Sequence, residues 1–166
     1  MTPRDLTIKW LFYSGAALIC LVLQQLLNPI QIWGIHPFIL PLVPVMPAML
    51  EGQSESALFA VGCGVFCDLL FPAQIPCLYT LAFLAAALAA GQLAGRIIMP
   101  GFLCALLSGL IAFVCTDLLQ ILAHTAGATR FSEAAQLSGQ ELLLSVPFAL
   151  LLYPLFRAIH RRVANE

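Results

Sequence analysis

Residues 62–72 read GCGVFCDLLFP. Glycines, cysteines and leucines here have the character of a membrane helix, yet Asp68 is a carboxylate that such a helix should avoid. The pattern returns at residues 114–120, VCTDLLQ, which place Asp117 inside a second apolar run. Both acids need a reason to be there, because an aspartate at mid-span costs about 2.5–3.5 kcal/mol on insertion scales. Each is therefore expected to face the interior of a helix bundle, a hydrated cavity or a partner.

The surrounding composition fixes the class. The chain is 61% hydrophobic and 9% charged, which an ordinary water-soluble domain does not need. A helix crossing about 30 Å of hydrocarbon needs about 20 residues. Breaks at Asn28-Pro29, Trp33-Gly34, Glu51-Gly52 and Pro100-Gly101 divide the chain into six predicted spans, about 10–27, 35–50, 56–71, 78–93, 102–124 and 142–156. The expected fold is all-α, a single polytopic bundle of six transmembrane helices. Ser138-x-x-Glu141 reads as a capping box that starts the last one. The first segment ends QQLLNP with no small-x-small cleavage pattern and is expected to be retained.

Basic residues set the expected orientation. With both termini inside, Arg4, Lys9, Arg96, Arg157, Arg161 and Arg162 fall on the cytoplasmic side and Arg130 on the other. The near-zero net charge of −1 speaks against a nucleic-acid partner. Most of the six cysteines fall in apolar runs, and none forms a Cys-x-x-Cys pair, so no metal or other cofactor is expected.

Three further patterns concern packing. Pro37, Pro41, Pro44 and Pro47 recur along one drifting stripe of the second span. Interior prolines free carbonyls that lipid cannot satisfy, so the stripe should face protein or a polar cavity. Ala82, Ala86 and Ala90 form a row of small residues continued by Gly91 and Gly95, which permits close backbone approach. In the third and fifth helices, parallel in the expected topology, Gly64 lies one turn before Asp68, while Gln120 and His124 extend the face of Asp117.

These acids, at one level of the membrane, invite comparison with membrane aspartyl proteases. Lipoprotein signal peptidases surround their acids with asparagines, whereas this chain has only Asn28 and Asn165. Gly62-x-Gly64 is followed by three more residues before Asp68, unlike the Gly-x-Gly-Asp of presenilin-like enzymes. No catalytic residues are expected. In a dry site the neutral form of each acid, a hydrogen-bond donor, would be favoured.

The short basic N-terminus, the glycine-rich segment GCGVFCDLLF, the second acid in LLSGLIAFVCTDLL, HPFILPL and the closing LLYPLFRAIHRR resemble MreD, the rod-shape-determining membrane protein family. PAQIPC after Phe71 departs from the glycine-bearing loop of that pattern. The resemblance implies a non-enzymatic protein of the bacterial inner membrane that works with MreC. It is linked in turn to the MreB filament and to RodA with its transpeptidase. It also implies a bundle like that of the substrate-binding subunits of energy-coupling-factor transporters. Those vitamin-binding subunits are the rival reading, favoured by Trp33, His36 and Tyr79 near the outer ends of helices.

Overall fold

The computed structural model describes residues 3–29, 37–71, 76–96, 98–99, 101–125 and 131–164. Among them the elements are six helices and no strand: α1 (Pro3–Leu27), α2 (Leu42–Glu51), α3 (Gln53–Leu70), α4 (Leu78–Arg96), α5 (Phe102–Thr125) and α6 (Phe131–Ala164). Three stretches, Thr7–Leu27, Leu78–Arg96 and Phe102–Ile121, are long and apolar enough to cross a membrane. Large apolar side chains stand outward around the bundle, among them Leu11, Ile19, Leu58, Leu69, Leu103 and Leu151. A surface of that kind is compatible with lipid and would associate in water.

The second predicted span differs most from expectation. Residues 37–39 are non-helical, and α2 has only 10 residues, about 15 Å, too short to cross a bilayer. Proline explains the late start. Pro41 occupies the N-cap and Pro44 falls in the first turn, where a missing N–H costs nothing; Pro47 alone lies deeper. Leu42 through Met49 are all buried, and α2 packs against every other helix. The proline stripe is thus in protein, not lipid.

Non-helical backbone within an apolar bundle needs donors and acceptors from its neighbours. Gln24 of α1 supplies both. Its Nε2 donates to Pro37 O at 2.9 Å and its Oε1 accepts from Ile39 N–H at 2.7 Å. Ser145 Oγ of α6 accepts from Phe38 N–H at 3.1 Å. At the start of α2 the N–H groups of Leu42 and Val43 turn back on the chain, donating to Ile39 O and Leu40 O.

A single residue, Gly52, joins α2 to α3. Its φ of 96° is a backbone state open to glycine and strained for other residues. Small side chains then bring four helices together: Val45 and Ala48 of α2, Ala60 of α3, Ala86, Ala87 and Ala90 of α4, and Ala112 of α5 form one buried cluster. The alanine row of α4 therefore packs within the chain. Gly91 continues it, since a Cβ there would press on Gln53 at 3.1 Å, whereas one on Gly95 would meet nothing. At the last helix the predicted boundary fails: α6 begins at Phe131, so Ser138 and Glu141 lie inside it, as do Pro147 and Pro154.

Candidate functional site

Two polar assemblies lie at opposite ends of the bundle. Glu55 and Asp68 mark them on α3, separated by about 20 Å of helix rise.

At the Asp68 end, the carboxylate reaches from the end of α3 to the start of α4. Asp68 Oδ1 accepts from Tyr79 N–H at 2.9 Å; Oδ2 accepts from Thr80 N–H at 3.0 Å and from the Thr80 hydroxyl at 2.6 Å. The first amides of a helix have no partner within it, and its N-terminus carries partial positive charge. Asp68 satisfies two of these amides from a neighbouring helix, doing for α4 what an N-cap side chain does from within the chain. In all three contacts Asp68 is the acceptor.

Gly64 makes this reach possible. A Cβ there would collide with the Thr80 backbone, coming within 2.9 Å of its amide nitrogen. The glycine and the acid, one helical turn apart, are parts of one device: the first brings the α4 N-terminus close and the second accepts its amides.

Asp117 and Gln120 lie half-buried on α5. Gln120 Nε2 approaches Tyr79 OH at 3.5 Å, the outer limit for a hydrogen bond. This joins α5 to the residue whose amide Asp68 accepts. Tyr79 also packs its ring on Phe38 and Phe83, at centroid distances of 6.0 and 6.1 Å. The side chain of His124, together with Trp33, His36 and Arg130, lies outside the described residues.

The other assembly was not foreseen. Lys9 of α1, only 2% exposed, places Nζ 2.7 Å from Glu51 Oε2 and 3.2 Å from Glu55 Oε2. Tyr13 donates its hydroxyl to Glu51 Oε1 at 2.8 Å, and His160 Nδ1 of α6 lies 2.8 Å from the same oxygen. The ammonium also stands 5.5 Å from the centre of the Trp10 ring. One carboxylate at the α2–α3 junction thus gathers α1 and α6, and Glu55 of α3 shares its lysine. Burial alone would push Glu51 upward, but hydrogen bonds from Lys9, His160 and Tyr13 outweigh it and hold the carboxyl below its ordinary value.

In the sequence Lys9 reads as a topology signal and Glu51 as part of a break between spans. The available clue was the apolar context around Lys9 and Trp10, where an unpaired ammonium would be costly. No group of three or more metal-ligating side chains occurs among the described residues. No family model, curated protein or solved structure matches this chain.

Proposed function

We propose that this chain is a non-enzymatic scaffold of the bacterial inner membrane, acting in cell elongation and sidewall peptidoglycan synthesis. Its helices hold an MreC-like partner, and through it the protein connects to the MreB filament and to RodA with its transpeptidase. Six spans and cytoplasmic termini belong to this reading.

The observation that carries the non-enzymatic part is the engagement of Asp68. Three donors occupy its two oxygens, and all three belong to the start of α4. A membrane protease needs such an acid to bind and activate water; here it holds two helices together. The MreD-like sequence segments supply the cellular setting.

Controlled depletion in the host, with cell width and sites of new wall synthesis imaged, tests the proposal. Rounded or swollen cells, together with recovery of elongation proteins in mild-detergent copurification, are expected. Normal width, with a growth defect cured by one vitamin, would overturn the scaffold reading in favour of a transporter subunit. For orientation, a reporter active only outside the cytoplasm should stay silent when fused after Glu166.

A further inference from the structure

Helix α1 is clasped near both ends by polar contacts, Lys9 and Tyr13 to Glu51 at one end and Gln24 to the 37–39 segment at the other. Between these clasps it stands away from α3. The hollow left there has a volume of about 350 Å³. Ala17 and Leu21 of α1 face Gly62 and Phe66 of α3 across it, and the lining, which includes Ser14 and Cys63, is almost wholly apolar.

We propose that this hollow holds one acyl chain of a membrane phospholipid, entering from the leaflet at the Asp68 end. The inference rests on membrane embedding alone and stands apart from the scaffold reading. Its first support is access. Leu18 and Phe66 on the rim are each 55% exposed, so the hollow opens sideways, where lipid would be. Toward the Lys9 end Phe59 lines it, and the rings of Trp10 and Tyr13 pack on Phe59 at 5.7 and 6.4 Å. Leu18 also borders a shallower apolar hollow along α1 toward the Asp68 end, lined by Leu18, Val22 and Leu26.

Length and width then decide between occupants. From Ser14 to Leu26 the helix rises about 18 Å, close to the roughly 15 Å hydrocarbon depth of one leaflet. A partner helix must cross both leaflets. Being about 10–12 Å across, it could place only side-chain tips in the hollow, whereas a single acyl chain is narrow enough to lie along its whole length between α1 and α3. Gly62 fits the same picture: a Cβ there meets nothing, so no packing inside the chain requires a glycine at that position.

Trp10 provides the probe. In a Trp33→Phe background it is the remaining tryptophan of the two in the chain. The protein is reconstituted in phosphatidylcholine brominated either near the headgroup or near the chain end, and quenching of Trp10 fluorescence is measured. Chain-end bromines should quench strongly, and this quenching should be lost in Gly62→Leu and in Ala17→Leu, which fill the hollow from opposite walls. Unchanged quenching in a variant with native helical circular dichroism would overturn the proposal. So would a dimer broken by Gly62→Leu without change in quenching, which would assign the hollow to a second copy of the chain.

Discussion

Asp68 is an acid near the end of an apolar helix whose partners are two backbone amides and a hydroxyl, so its substitutions can be ranked by how many donors they leave unmet. Asparagine keeps one acceptor oxygen and turns an NH2 group toward a donor; leucine keeps no acceptor. Each buried donor left unsatisfied costs about 1–3 kcal/mol. Thermal unfolding in detergent should therefore rank wild type above Asp68→Asn and Asp68→Leu last. Equal stability of the two variants would mean that capping of α4 is not the role of the acid. The neighbouring glycines provide a second contrast. Gly64→Ala must push α4 aside, an overpacking cost of about 1–3 kcal/mol. Gly62→Ala meets open space and should be neutral or gain up to about 1 kcal/mol from helix propensity. The same measurement checks both, and a destabilising Gly62→Ala with a silent Gly64→Ala would reverse the assignment.

Among the elements, α2 shows where sequence patterns lose resolution. Hydropathy reveals apolar stretches and the cost of an intramembrane acid, so the helical class and the need for partners at Asp68 were both legible. Helix length in a proline-rich run was not, because Pro41, Pro44 and Pro47 are each compatible with a helix start and only tertiary packing decides where it falls. The same holds for Gln24. Two consecutive glutamines lie in the last turn of α1, and helical phase alone turns Gln24 inward to the 37–39 backbone while Gln25 remains exposed. Tyr79 and Thr80 could not be paired with Asp68 from spacing, since the packing of α4 on α3 sets that geometry. Gln24→Leu strands Ile39 N–H and Pro37 C=O, at about 1–3 kcal/mol each. It should lower the unfolding temperature far more than Gln25→Leu. Limited proteolysis gives an independent readout, with cleavage near α2 expected to increase only in Gln24→Leu; equal behaviour of the two variants would remove Gln24 as the support of the broken helix.

At the scale of the whole molecule, the Lys9–Glu51–Glu55–His160 assembly joins the first and last helices to the α2–α3 junction, contacts separated by 42 to 109 residues in sequence. Because this closure is ionic, stability should depend on pH with a defined sign. The folded carboxyl of Glu51 is held below the ordinary 4.5. Above that value it is charged in both folded and unfolded chains, and its full contribution is present. As pH falls through the lower folded value, the native carboxylate takes up a proton and the contribution disappears. Unfolding of the wild type in an uncharged detergent should accordingly show little Glu51-dependent change from neutrality down to about pH 4.5 and a decline below it. Glu51→Gln should be less stable at neutral pH and show a shallower acid decline. Lys9→Met should cost about 3–5 kcal/mol at neutral pH, since it leaves a buried carboxylate without its main counter-charge. Combining it with Glu51→Gln should recover part of that loss. An acid decline of equal slope in wild type and Glu51→Gln would show that other carboxylates govern the acid response and that this assembly does not close the bundle.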